Sequence, residues 1–450
     1  MNERNLLLAI LLSVTACGGS VVDSGDTLAG QPATPASCTP APAPTPGTPA
    51  TMGQGSASTN GPQQQAWSAV DLDSVSSAGG GVASTAFDGR FLYLVPGGSG
   101  LVRRYDTQAP LDAPQSWSSF DVATVDPNAG EFRGAAFDGR YVYFVPYGCP
   151  RCADSSTLGG VVTRYDSQAP FADASSWSTF DLTTVDPGAT GYVGAAFDGR
   201  YLYLAPYGID YAYQSLVARF DTQAPFASAS SWSTFDTTVV DAGAQGFYGT
   251  TFDGRYVYFS PYAHGDGAYN PIVTRYDTRG SFGAADSWST FDTSTVDARA
   301  VGYFGATFDG RYAYFVPYTS DGSYAGLLAR FDTRGDFTSA SSWSFFDTRA
   351  LGVFPEGALF DGRYVYVVPS GGPSGPSGLV ARLDTHADFA SPASWTTFDT
   401  STVNPDAVWF FGGGFDGRYI YLAPSVGSAM ARLDARSTPA LPAAYHGSFF

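Results

Sequence analysis

The chain has 450 residues, of which 44% are hydrophobic and 15% aromatic, with 53 Gly and 30 Pro, a composition suited to strands and tight turns around a large core. Its formal net charge is −18, and all 23 basic side chains are Arg. The acidity argues against nucleic acid as a partner, and the absence of Lys excludes Schiff-base or lysine-activated chemistry.

The chain opens with an export pattern: Arg4, an apolar run from Leu6 to Val14, then Val14-Thr15-Ala16-Cys17. The run is too short to cross a bilayer and fits a signal-peptide core. The last four residues resemble the lipobox of bacterial lipoproteins. That resemblance implies cleavage before Cys17, acylation of its thiol and a lipid anchor in the cell envelope; Gly18 in place of Asp favours the outer membrane of a diderm cell. Residues 1–17 are therefore read as the signal. Residues 18–66, rich in Ala, Pro, Thr, Gly, Ser and Gln, cannot bury enough apolar surface to offset ordering and predict a disordered tether.

Beyond the tether one unit returns seven times, its Asp-Gly-Arg core beginning at Asp88, Asp138, Asp198, Asp253, Asp309, Asp361 and Asp416. A period of 50 to 60 residues means stacked or radial repeats. In the third unit Gly194 to Phe197 predicts a short inner strand, Asp198-Gly199 a hairpin turn, Arg200 to Pro206 a strand covered on both faces, Leu216 to Asp221 a third strand and Trp232 to Phe235 a fourth. Four short strands repeated seven times, with no helix-period segment, predict an all-β, seven-bladed β-propeller over residues 67–435. A Trp67 segment arrives before the first Asp-Gly-Arg, and the seventh unit lacks one, so Trp67 should complete the last blade and close the ring. Residues 436–450 are left as a C-terminal tail.

The unit resembles the kelch repeat and the galactose-oxidase-like propellers, through its small-residue inner strand, its aromatic second strand, Tyr165-Asp166 and Trp177. It departs where a kelch Gly-Gly doublet would end the second strand: Pro146-Tyr147 and Pro261-Tyr262 stand there. Only Gly97-Gly98 and Gly371-Gly372 echo the doublet.

A residue type present in every unit is expected to serve the blade. Trp67, Trp117, Trp177, Trp232, Trp288, Trp343 and Trp395 read as inter-blade packing, with sugar-stacking platforms as the competing reading. Two Arg columns beside repeated Asp read as pairing within or between blades, and Asp positions spread over separate turns do not suit calcium.

Function is expected where the units disagree. One variable column precedes the inner strand: Ala83, Arg133, Val193, Tyr248, Phe304, Glu356 and Phe411. With the neighbours Phe132, Tyr192, Phe247, Tyr303, Trp409 and Phe410, it should ring the mouth of the central channel. The second variable feature is the loop after the second strand. It is long and begins Pro-Tyr in units two to five, with Tyr147, then Tyr207, Tyr211 and Tyr213, then Tyr262, His264, Asp266 and Tyr269, then Tyr318, Asp321 and Tyr324. Both features share one face, and aromatic rings beside carboxylates suit a glycan or an extended peptide. Tyrosines packing only their own loops are the plainer alternative.

Cys149 and Cys152 should form a loop disulfide in an exported chain, no metal site is visible, and no cofactor is called for. A glycan-active hydrolase or lyase is the enzyme alternative, with Asp266, Asp321 or Glu356 as its carboxylates. A structural envelope scaffold that docks another protein is the third reading. The expected form is a monomer held at the membrane by its N-terminal lipid alone.

Overall fold

The computed structural model describes residues 66–76, 81–149, 157–209, 212–265, 267–318, 327–373, 375–425 and 427–436. Among them, seven four-stranded antiparallel sheets follow one another in the chain. Blade three is typical: Tyr192–Phe197 lies innermost, then Tyr201–Pro206, Leu216–Asp221 and Trp232–Asp236 at the rim. Blade seven contains Phe410–Phe415, Tyr419–Pro424 and Ala429–Asp434, and its rim strand is Trp67–Asp71, with Trp67 opposite Leu433 and Asp71 opposite Ala429. Each inner strand packs on the next, and the seventh packs on the first. The ring is closed as the repeat predicts. Helical structure is limited to one turn at Leu72–Val75 and short 3-10 turns flanking the rim strands.

The repeated columns do scaffold work. Asp198 Oδ1 accepts the amides of Arg200 and Tyr201 at 2.8 and 2.6 Å, Oδ2 accepts the Tyr203 hydroxyl at 2.8 Å, and Gly199 supplies the turn's φ of 100°. Arg200 pairs with Asp221 of the same blade at 2.7 Å. The second arginine, Arg219, lies between the ring of Tyr201 at 4.3 Å and that of Phe282 in the next blade at 4.4 Å, so its guanidinium joins two sheets. Asp181, at the end of a rim strand, caps the following 3-10 turn through the Thr183 amide at 2.9 Å.

Each repeated Trp is buried. Trp232 stacks on Phe180 of the preceding blade at 5.2 Å and 3°, and its Nε1 donates to the Phe226 carbonyl at 3.1 Å. Trp67 closes the ring in the same way, stacked on Phe398 at 5.2 Å and 4°. With their faces covered, these indoles do not serve as sugar platforms, and the packing reading holds.

The inner strands carry a feature that no residue type announces. Tyr192 faces Pro206 while Gly194 faces Ala205, so Val193 is the extra residue of a β-bulge. The same shift isolates Ala83, Arg133, Tyr248, Phe304, Glu356 and Phe411. In six blades the residue after the bulge is Gly. A Cβ at Gly134 would overlap the Val193 carbonyl, and one at Gly194 would lie 2.9 Å from the Tyr248 carbonyl. Glycine thus lets neighbouring inner strands approach, and the bulge turns the preceding residue toward the centre.

Candidate functional site

Seven bulge residues converge at the mouth of the ring, all of them buried. Above them sits a second tier, the residue following the Pro of each second strand. It reads Tyr147, Tyr207, Tyr262 and Tyr318 in blades two to five, then Ser370, Ser425 and, in blade one, Gly97. The backbone builds this tier the same way in blades three to seven: the amides of Tyr207, Tyr262, Tyr318, Ser370 and Ser425 donate to the carbonyls of Gly191, Gly246, Gly302, Phe354 and Trp409.

Over blades two to five the two tiers merge into one aromatic cluster. Tyr262 stacks on Phe304 at 4.3 Å and 13°, Phe304 meets Tyr248 edge-on at 4.0 Å and Tyr318 at 4.4 Å, and Tyr207 meets Tyr248 at 4.5 Å. Tyr147 lies 6.4 Å from Tyr207 and donates its hydroxyl to the Gly208 carbonyl of the next blade at 3.3 Å. Phe411 completes the cluster. None of these seven rings is more than 8% exposed. They were expected to present open faces for stacking; instead they cover one another, because aromatic rings crowded at a narrow opening bury more apolar surface by packing together than by facing water.

Tyr213 and Tyr269 stay half-buried at the edge of the cluster, 5.5 Å from Tyr207 and 5.7 Å from Tyr262. Tyr211, Asp266, Asp321 and Tyr324 lie outside the described residues, as do Cys17 and Cys152. Cys149 is disulfide-bonded, to a partner outside that range. Another expectation is corrected. Phe132, Tyr192, Phe247, Tyr303 and Phe410 do not line the mouth but pack in the cores between blades, as Phe132 does on Phe144 at 5.7 Å and Tyr303 on Phe315 at 6.0 Å. The bulge, by inserting one residue, sends the neighbouring side chain sideways into the seam.

The polar residues of the mouth divide into two groups. Arg133 is held by Glu131, 3.7 Å away, and lies over the Tyr147 ring at 4.8 Å. Burial raises the pKa of Glu131, and Arg133 draws it part of the way back. Glu356, on blade six, has no such partner: it is 1% exposed, and neither carboxyl oxygen makes a hydrogen bond. Burial holds its pKa well above the usual 4.5, opposed only by the nearby indole of Trp409. The Nε1–H of Trp409 is itself buried without a completed hydrogen bond.

Trp409 is also the one non-glycine residue with positive φ among the described residues, at 54°. Its counterparts in blades three to five are Gly191, Gly246 and Gly302, with φ of 70°, 65° and 69°. A bulky residue in this conformation costs about 1–3 kcal/mol, so the tertiary structure holds the indole against a local preference. The sequence did carry a signal for it, a Trp where three sister units have Gly.

A separate cleft of about 580 Å³ opens at the seam of blades seven and one, beside Arg432, Arg418, Leu111 and Asp112. Leu111 stands where five other blades place the Phe that covers the arginine, as Phe282 covers Arg219.

No family model matches the chain, and no curated protein matches its sequence. Among solved structures it is similar to a streptogramin B lyase, with a TM-score of 0.54 and 11% identity over 82% of this chain and 98% of that one. It is also similar to the Myceliophteria thermophila Cps50 (Swd1) β-propeller domain, with a TM-score of 0.50 and 10% identity over 80% of this chain and 97% of that one. At such identities the likeness shows the fold alone. The kelch-like subtype is carried only by the resemblance of its repeat.

Proposed function

We propose that the protein is an exported, lipid-anchored binding module whose ring mouth holds an extended peptide segment. The observation that carries this reading is the asymmetry of the mouth. Four adjacent blades raise aromatic rings after the second strand, while blades six, seven and one offer Ser370, Ser425 and Gly97 there, with Glu356 and Trp409 on that side of the mouth. A shallow, one-sided face with half-buried Tyr213 and Tyr269 at its edge suits a chain laid across it, with backbone groups meeting loop carbonyls and side chains reaching inward. The burial of the seven central rings counts against a glycan, which needs open ring faces on which to stack.

The test is a binding survey with peptide and glycan arrays and a pull-down from cell envelope, run on the parent and on a Tyr213→Ala/Tyr269→Ala variant. The reading predicts peptide capture that the double variant loses. Capture of glycans alone, or peptide capture indifferent to both substitutions, removes this face from consideration. Tether and anchor are checked by Cys17→Ser, which should release the protein from the membrane fraction.

A further inference from the structure

Blade six places a carboxyl in the least favourable setting the mouth offers. Glu356 is almost fully buried, and neither of its oxygens completes a hydrogen bond. An unpaired buried polar group of this kind costs about 1–3 kcal/mol, more when charged. The nearest mouth arginine does not relieve it, since Arg133 is engaged with Glu131 at 3.7 Å and with the Tyr147 ring at 4.8 Å. Beside it Trp409 is held in a strained backbone conformation with its Nε1–H buried and unpaired, while the rest of the indole remains partly open to solvent. The carboxyl and the indole N–H approach each other without completing a hydrogen bond, and they do so at the strained residue, on the side of the mouth where the upper tier has no ring.

The group that would satisfy this point is a small cation. Of the donors that could reach a buried carboxylate, a positively charged one stabilises it most. The mouth is plugged at its centre, so the entering group must be slender. A lysine side chain carries its ammonium on an unbranched four-carbon stem, whereas the amine of a hexosamine sits directly on a ring. The chain's own charge of −18, with no Lys anywhere, draws such cations and supplies none of its own.

We propose that Glu356 and Trp409 form the end of a pocket that takes the primary ammonium of a lysine in the bound peptide, with the Trp409 indole as its movable cover. This rests on the peptide reading above. Because burial without a cation disfavours the charged form of Glu356, capture of an ammonium favours its ionisation: the carboxyl proton leaves to solvent and the ammonium N–H groups donate to the carboxylate. Among the described residues, the Tyr248 hydroxyl is the ionisable group that interacts electrostatically with Glu356, and it interacts in turn with Arg133, Tyr147 and Tyr262.

The test uses the full chain and n-butylammonium as the probe for the lysine stem, with n-butanol as its neutral counterpart. Tryptophan fluorescence and calorimetry in buffers of different ionisation enthalpy provide the readouts. Saturable binding of butylammonium with proton release, no saturable binding of butanol, and a loss of at least about tenfold in Glu356→Gln, with its proton release abolished, is the expected result. Near-UV circular dichroism confirms that the variant is folded, and Trp409→Gly, which installs the residue used by blades three to five, should weaken butylammonium binding without unfolding the ring. Equal binding of both probes, binding unchanged in Glu356→Gln, or no saturable response from folded parent protein overturns the proposal. So does binding of glucosamine oligomers where lysine peptides fail. Peptide capture that depends on Tyr213 and Tyr269 but ignores Lys→norleucine changes overturns this inference and leaves the peptide reading standing; loss of all peptide capture removes both.

Discussion

The seams between blades and the mouth of the ring are built from the same side chains, arranged to opposite ends. In the seams the Trp and Arg columns repeat and find their partners, as Trp232 stacks on Phe180 and donates to the Phe226 carbonyl and Arg219 bridges two rings, although Tyr192 keeps a buried hydroxyl without a hydrogen bond. At the mouth the columns differ from blade to blade, rings pack in an irregular cluster, and Glu356 and Trp409 keep buried polar atoms that approach each other without completing a hydrogen bond. Repetition in one region and exception in the other separates what holds the protein together from what it could bind.

Substitutions should reproduce that division. The largest effect is expected in a seam. Trp232→Ala removes a stacked ring and its hydrogen bond, and should cost about 3–5 kcal/mol in denaturant unfolding. A cost below about 1 kcal/mol would mean that the seams tolerate voids and are not the source of stability. Next comes Tyr262→Ala at the mouth. It opens a cavity beside Phe304 and should cost about 2–4 kcal/mol while changing binding more than any seam substitution of equal cost. Arg219→Ala should be smaller, about 1 kcal/mol, since it loses the cation–π contact with two blades but no buried charge is stranded. Arg200→Ala should be smallest, with no measurable change in the unfolding midpoint, because its pair with Asp221 is solvent-exposed.

Much of the seam was legible in the sequence, because a repeat prints each structural need seven times. The Asp-Gly turn, the Trp column and the closing strand at Trp67 all follow from residue type and position. The mouth was less legible. Tyr147, Tyr207, Tyr262 and Tyr318 stand at equivalent positions of four units, but whether their rings face water or each other depends on contacts between blades that no single unit encodes. The bulge escaped for another reason. Its extra residue can be Ala, Arg, Val, Tyr, Phe or Glu, so only the Gly that follows, as at Gly134 and Gly194, marks it. That oversight put Phe132 and Tyr192 in the channel, when they lie in the seams. Glu356 stood out in the sequence only as a candidate carboxylate of an enzyme, and its lack of a charged partner among the described residues required the full set of neighbours.

The central claim, that the mouth keeps an unpaired buried carboxyl, has a direct thermodynamic consequence. Glu356 has a folded pKa raised above its usual 4.5, so it binds a proton more tightly in the folded state. Its contribution to stability is fully present below 4.5 and is lost as pH rises through the folded value. Asp106, Asp166 and Asp221, whose pKa values are lowered by hydrogen bonds from Arg90, Arg140 and Arg200, act in the opposite sense: their stabilisation is present above the usual carboxylate range and lost on acidification. Those aspartates are common to parent and Glu356→Gln, so the difference between the two proteins isolates Glu356. Unfolding free energy measured for both across the range from 4.5 to neutral pH is the decisive comparison. The variant should gain on the parent steadily as pH rises; parallel curves would show that Glu356 is charged and satisfied, and would contradict the account.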